Sequence, residues 1–254
     1  MTKLSIIIPA WNEEKRIGRT LIQYIKYFSK KYDFEILVIT DGCKDKTEEI
    51  INNLPLDLSS LKHLSFPEKL GKGGAIIEGI REAQGMYIAF TDADGSTPPE
   101  ELEKLIVIAD GWDGVIGSRW LDKSLVLKRQ SLTRRLASRG FNVLVRLLFG
   151  LHYNDTQCGA KVFNNFAILD VVEELGLMNF AFDVDLLFRL NRKGYRVREV
   201  PIAWSHDDDS CLKLKKVVPA MFFSLMGLRL SISCFWRFIP KWFSHRVYHD
   251  IMKI

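Results

Sequence analysis

Residues 4–14 read Leu-Ser-Ile-Ile-Ile-Pro-Ala-Trp-Asn-Glu-Glu, and the way this stretch starts and stops indicates the fold. Leu4 to Ile8 is an unbroken apolar run, the pattern of a strand covered on both faces within a parallel sheet, and Pro9 ends it. Glu14 to Ser29 then places Ile17, Leu21, Ile25 and Phe28 at helical spacing, and Phe34 to Ile39 reads as a second buried strand that halts at Asp41-Gly42. Together these make one βαβ unit. The alternation continues with a helix near Lys46 to Asn53, a strand near His63 to Phe66, a helix from Gly73 to Gln84 and a strand from Tyr87 to Phe90. A further helix opens at Thr97-Pro98-Pro99-Glu100, and Val115 and Ile116 close this half. Such alternation predicts a mostly parallel, doubly wound α/β sheet, with ligand sites gathered at the carboxyl ends of strands, where Pro9, Asp41 and Asp92 fall.

The second half has a different texture: a basic amphipathic helix over about 131–148, a strand near Lys161 to Phe163, a helix from Asp183 to Arg192 and a strand from Tyr195 to Val200. Residues 1–212 are expected to form one catalytic domain and 213–254 an amphipathic helical extension. Within that extension Val217 to Leu228 carries no charge, but Arg229 ends it short of the roughly 20 residues a membrane span needs. Leu230 to Phe243 mixes Phe235, Trp236, Phe238 and Trp242 with Arg237 and Lys241, as helices lying in a membrane interface do.

A chain of 254 residues, 47% hydrophobic, is long enough to bury a substantial core. Its net charge of +5 is too mild to argue for nucleic acid, and the excess gathers in the tail, where lysine and arginine recur against the single acid Asp250. Cys43, Cys158, Cys211 and Cys234 are dispersed and form no metal or disulfide pattern. Without a signal-peptide pattern or a transmembrane span, the expected location is the cytoplasmic face of a membrane, held peripherally.

Thr91-Asp-Ala-Asp94 follows a buried strand, so two carboxylates stand side by side at the sheet edge, where a divalent cation would relieve their repulsion. Lys69-Leu-Gly-Lys-Gly-Gly74 leads into a helix, offering close backbone approach, a helix N-terminus and the Lys72 ammonium to phosphate. It has neither P-loop spacing nor the dinucleotide fingerprint, which disfavours ATPase and NAD-dependent readings.

PAWNEE at 9–14, TDGCKDKT at 40–47, GKGGA at 71–75, TDADGS at 91–96 and GSRW at 117–120 together resemble family-two glycosyltransferases. Asp155-Thr-Gln-Cys-Gly159 followed by KVF, the 180–186 segment FAFDVDL and the 199–204 segment EVPIAW are most similar to dolichyl-phosphate β-glucosyltransferases, with dolichyl-phosphate mannose synthases as near relatives. The resemblance implies a GT-A fold, a Rossmann-like three-layer sandwich that binds a nucleotide-diphospho-sugar, followed by C-terminal amphipathic helices. It implies that Pro9, Trp11, Glu13 and Asp41 hold the base and ribose, and that Lys72, Asp92, Ala93 and Asp94 line the diphosphate. Asp92 and Asp94 would hold Mg2+ or Mn2+, with Asp94 the favoured ligand. Arg119, Arg134 and Ser138 would grip the acceptor phosphate, Lys213 would lie near the donor diphosphate, Asp155 and Gln157 would orient sugar or acceptor, and Asp183 stands where relatives with hydroxyl acceptors carry a base.

The implied activity is inverting transfer of a sugar, with UDP-glucose the first donor, to polyprenyl or dolichyl phosphate, for protein glycosylation or cell-envelope glycans. Alternatives are a mannose or N-acetylglucosamine synthase of the same lipid, or a transferase to a soluble or polysaccharide acceptor. The implied partners are the nucleotide sugar, the polyprenyl phosphate, a membrane surface and a membrane-bound protein, with no nucleic acid. Three positions depart from the pattern: Thr40 replaces an acid, Ala160 stands where glucosyl relatives carry Phe, and the loop after His206 reads DDDSCLK.

Overall fold

The structure is a computed structural model that describes residues 4–55, 59–128, 132–205 and 214–232, without the side chains of 127–128, 134 and 214–217. In chain order the elements begin with β1 (Leu4–Ala10), α1 (Ile17–Phe28), β2 (Phe34–Asp41), α2 (Thr47–Asn52), β3 (Leu61–Phe66), α3 (Lys72–Glu82), β4 (Tyr87–Phe90), α4 (Pro99–Ile108) and β5 (Gly114–Ser118). They continue with β6 (Leu125–Lys128), α5 (Leu132–Phe149), β7 (Lys161–Asn164), α6 (Asn165–Val172), α7 (Phe182–Arg192), β8 (Val197–Pro201), β9 (Ala203–Ser205) and α8 (Leu214–Ser231).

Seven strands make the central sheet in the order β3-β2-β1-β4-β7-β5-β8. Alternating side chains along β1 feed opposite faces: Ile7 joins one apolar cluster, while Ile6 and Ile8 join the other. The first cluster is closed by α3, α6 and α7 with residues of α5 and α8, the second by α1, α2 and α4. This is the expected three-layer sandwich. In α1 the buried face is Ile17, Leu21, Tyr24, Ile25 and Phe28, the stripe its spacing predicts.

The sheet is parallel except for β7, which runs antiparallel between β4 and β5. This reversal carries the first residue of β7, Lys161, to the edge where β4 ends, because Lys161 pairs with Phe90. The predicted strand from Tyr195 begins later, at Val197, because Gly194 adopts φ 82° and closes α7 with its N–H on the Asn191 carbonyl. The helix α6 and the small β6-β9 sheet were not foreseen; strands as short as Ala203–Ser205 display no readable period.

The expected boundary at 212 lies outside the described residues. Helix α8 lies on α5, buries Ser224, Leu225 and Leu228, and receives a 2.7 Å hydrogen bond on Ser224 Oγ from Asn179 Nδ2. Residues 233–254, with the predicted aromatic and basic stretch, lie outside the described residues. Among the described residues, no helix is long and apolar enough to cross a membrane.

Phe163 on β7 is fully buried, stacks on Phe90 at 5.5 Å and covers Gly114, where an added Cβ would stand 2.5 Å from its ring. Phe163→Ala is therefore expected to lower the unfolding free energy by about 3–5 kcal/mol in urea denaturation.

Candidate active site

Strands β1, β2, β4 and β5 all end at one edge of the sheet, and the turns that follow carry Glu13, Asp41, Asp92 and Arg119. Asp92 and Asp94 flank the buried Ala93, whose carbonyl accepts the Thr20 hydroxyl at 3.0 Å. Asp94 accepts the Ser96 N–H at 2.9 Å. Burial and the neighbouring charge of Asp92 raise the Asp94 carboxyl above the ordinary range. At Asp92 burial also favours the neutral acid, but the charges of Lys72, Lys161 and Arg119 outweigh it and hold the carboxyl low. Glu13 joins the same negative field. Its burial pushes it to about 7, against the opposing Arg16, with Asp94 and Asp92 contributing. Asp92 and Asp94 are the pair that could hold a hard divalent cation, which would remove the repulsion that raises Asp94, although among the described residues no group of three His, Cys, Asp or Glu is arranged to hold one.

The cations come from two elements. Lys72, the first residue of α3, reaches Asp92 Oδ1 at 2.8 Å. Burial opposes its charge, but Asp92, Asp183 and Asp94 overcome that and raise its pKa. Lys161 is fully buried and donates to Asp183 Oδ1 at 2.7 Å and to the Cys158 carbonyl. The glycine segment fits by close approach. Gly73 donates to the Met178 carbonyl at 2.7 Å, and a Cβ on Gly73 would stand 2.4 Å from the Leu177 carbonyl. That receiving loop is itself held by Asp185, which accepts the N–H groups of Gly176 and Leu177.

Arg119 forms a forked pair with Asp155, Nε to Oδ2 at 2.7 Å and Nη2 to Oδ1 at 2.9 Å, and its backbone N–H also donates to Oδ2. Asp155 is held from behind by Glu199 on β8, whose carboxylate accepts the N–H groups of Asn154 and Asp155. Beyond Arg119 opens a cavity of about 240 Å³ lined by Arg119, Trp120, Leu121, Ser124, Val126, Arg135, Arg139 and Trp204. The Arg139 guanidinium lies 4.8 Å over Trp120, and that of Arg119 lies 5.3 Å from the Trp204 ring. Among the described residues the lining contains no acid, so the cavity suits an anion.

Most of the residues singled out from sequence converge here, with altered duties for several. Half-buried Pro9 does not end β1, which runs on through Ala10 paired with Thr40, and Trp11, 40% exposed, lies under the Lys69 ammonium at 3.9 Å. Asp41 points both carboxylate oxygens at the glycine segment, accepting the N–H groups of Leu70 and Gly71, so it shapes the donor loop. Thr40 bonds Glu48 and His63 instead of facing the site. Asp155 is wholly committed to Arg119, and Asp183 to Lys161. Gln157 is half-buried, with Nε2 buried and unpartnered among the described residues. On α5 the cavity is lined by Arg135 and Arg139; Ser138, whose buried Oγ is unpartnered among the described residues, is not in that lining. The backbone of Arg134 lies on α5, but its side chain falls outside the described residues, as do Lys213 and the 207–213 loop.

Lys161, Asp185, Glu199, Arg135 and Arg139 were given no role from sequence. Lys161 stood in the quoted KVF, and its apolar neighbours were the signal: an ammonium inside a buried strand requires a partner. Cys158 is buried, and its burial pushes the thiol to about 12, so it stays neutral.

A carboxylate pair at the carboxyl edge of a seven-stranded mixed sheet is the arrangement expected of a GT-A fold. Residues 5–170 match Glycosyl transferase family 2, and the chain belongs to that family. Among relatives, a dolichyl-phosphate beta-glucosyltransferase of Saccharomyces cerevisiae is 33% identical over 83% of this chain and 69% of its own. The Homo sapiens enzyme of that name is 31% identical over 89% and 72%. Glycosyltransferase AglD of Haloferax volcanii is 30% identical over 86% of this chain, which spans only 36% of that longer protein. Among solved structures, glucosyl-3-phosphoglycerate synthase of Mycobacterium tuberculosis with Mn2+, UDP-glucose and phosphoglyceric acid superposes with TM-score 0.65 at 18% identity, over 91% of this chain and 81% of the other. The same enzyme has also been solved with Mg2+ and UDP, with TM-score 0.64 at 18% identity, over 91% of this chain and 79% of the other.

Two substitutions test the geometry. A Cβ on Gly159 would lie 2.0 Å from Asp92 Oδ2, so Gly159→Ala is expected to weaken UDP–Mn2+ binding at least about tenfold by calorimetry while preserving the circular dichroism spectrum. Lys161→Met leaves Asp183 buried without its cation, and chemical denaturation is expected to register a loss of about 3–5 kcal/mol.

Proposed function

We propose that this protein is an inverting glycosyltransferase that moves glucose from UDP-glucose onto the phosphate of a polyprenyl lipid such as dolichyl phosphate, giving a β-linked lipid-phosphate sugar. The observation that carries the reading is the cavity of Arg119, Arg135 and Arg139, without an acid among its described lining residues, whose Arg119 also acts electrostatically on Asp92, the partner of Lys72. An anionic acceptor and an anionic donor can thus be held side by side. The names of the yeast and human relatives add support for the lipid and the sugar.

In this mechanism Trp11 offers a face to the base, and the glycine segment with Lys72 receives the diphosphate at the N-terminus of α3. Asp92 and Asp94 are the residues that would hold Mg2+ or Mn2+, which when bound neutralises charge on the departing diphosphate. The arginines orient the acceptor phosphate, whose second pKa of ~6 leaves it anionic at neutral pH, so that its oxygen is itself the nucleophile. The new bond joins that oxygen to the anomeric carbon, and the bond to UDP breaks with its electron pair on the diphosphate. No general base is required. Asp183, tied to Lys161 at 2.7 Å, is poorly placed to act as one, and its role in this reading is to keep the cations of the site in position.

A donor panel tests the proposal. Purified protein with dolichyl phosphate, Mn2+ or Mg2+, and labelled UDP-glucose, UDP-N-acetylglucosamine or GDP-mannose is expected to place label in the organic phase from UDP-glucose. Asp94→Ala should lower that signal by about 100-fold or more, and Arg139→Ala should raise the acceptor KM with a smaller effect on kcat. Label from another donor would reassign the sugar. Label only on a soluble acceptor, with Asp183→Asn inactive, would replace the lipid reading.

A further inference from the structure

The arginines of the cavity are carried by two supports that meet in one buried place. Arg119 is fixed from the 155–157 turn, through its fork on the fully buried Asp155. Arg135 and Arg139 stand on α5, and at about 100° per residue Arg135, Ser138, Arg139 and Asn142 fall within about 100° of one helix face. Asn142 is 6% exposed. Its Oδ1 accepts the Thr156 N–H at 3.3 Å and the Thr156 hydroxyl at 2.9 Å. Thr156 is itself buried and follows Asp155 in the chain. One amide oxygen therefore ties the helix that carries two of the arginines to the turn that holds the third.

The direction of that amide is set by its partner. A backbone N–H can only donate, so the atom facing Thr156 is the oxygen, and Nδ2 is left buried and without a partner among the described residues. A buried donor left unpaired is unfavourable. An aliphatic side chain at 142 would avoid that cost, but it would remove the acceptor that the buried Thr156 uses. Helix α5 touches the same segment one turn further on, where Arg146 donates to the Tyr153 carbonyl at 3.2 Å and to Asn154 Oδ1 at 2.8 Å. That contact is exposed and open to competition from water, so the buried fixed point between helix and turn is Asn142. Its placement matters because a guanidinium takes phosphate oxygens through a planar fork, and a displacement of about 1 Å in such a site costs up to about 100-fold.

We propose that Asn142 is a positioning residue: by bonding Thr156 it sets Arg135 and Arg139 at the distance from Arg119 at which the three guanidinium groups close on one phosphate monoester. The role rests on the reading of the cavity as the acceptor-phosphate site. Asn142 acts through the arginines and makes no contact with the phosphate itself.

The experiment measures inorganic phosphate binding by calorimetry on the full chain saturated with UDP and Mg2+, beside transfer kinetics with dolichyl phosphate. Asn142→Ala removes both bonds of the tie, Thr156→Val removes the shorter one, Thr156→Ser keeps both, and Arg146→Ala removes the exposed contact. Asn142→Ala is expected to weaken phosphate binding at least about tenfold and Thr156→Val at least about threefold, each with a matching rise in acceptor KM. Their kcat and their Kd for UDP–Mg2+ should stay within about twofold of wild type, as should every measure for Thr156→Ser and Arg146→Ala. In an Arg139→Ala background, Asn142→Ala should cost less than it does in wild type, because one of the groups it places is gone. Unchanged phosphate binding and acceptor KM in Asn142→Ala, or in Thr156→Val if the alanine variant does not fold, would overturn the inference. So would a loss of UDP–Mg2+ binding equal to the loss of phosphate binding, the mark of general loosening. A wild type that takes up no phosphate would overturn it together with the acceptor-phosphate reading. Phosphate binding that is lost with the tie, in a protein that glycosylates no polyprenyl phosphate, would uphold the positioning role and reject the lipid.

Discussion

An ammonium group with no exposure to water, that of Lys161, must find charge and hydrogen-bond partners inside the protein, and the partners it takes organise the site. Asp183 supplies the charge from the first turn of α7, and the Cys158 carbonyl supplies a second acceptor. Because Lys161 also opens β7 and pairs with Phe90, the one side chain joins the central sheet, α7 and the 155–160 turn. Its field extends to Asp92, where it acts with Lys72 and Arg119 to keep that carboxylate ionised.

The reversed strand is what makes this possible. Had β7 run parallel to its neighbours, its amino end would lie at the opposite edge of the sheet and the 155–160 turn with it. Running antiparallel, it delivers Asp155 and Lys161 to the edge where β1, β2, β4 and β5 release Trp11, Asp41, Asp92 and Arg119. The result is an alternation of sign across a short distance. Carboxylates stand at 13, 92 and 94, and arginines 119, 135 and 139 line one cavity. Asp155, backed by Glu199, fixes Arg119 at the junction.

Neighbours of known structure share this frame at 18% identity while one of them holds phosphoglyceric acid, whereas the curated relatives near 30% identity are named for dolichyl phosphate. A common frame with different acceptors follows if the donor half is set by strand ends and the acceptor half by the elements inserted after β5. In this chain those are the β6 segment and α5, the same helix that carries two of the three cavity arginines and an exposed aliphatic stripe.

Sequence alone determined the layered architecture, the buried strands and the Asp92–Asp94 pair, because those follow from local periodicity and from what must stand at the end of a buried strand. The order of motifs also sufficed for the family. Tertiary structure decided what lies across the sheet: the direction of β7, the pairing of Lys161 with Asp183 and of Arg119 with Asp155, and the turning of Asp41 toward the glycine segment. It also decided that Arg135 and Arg139 line one cavity with Arg119, and that one side of α5 stays exposed. The physical reason is common to all of these. A charged side chain acquires its role from the opposite charge that packing brings within hydrogen-bond reach, and residues 36 positions apart, as Arg119 and Asp155 are, carry no local signal of that encounter.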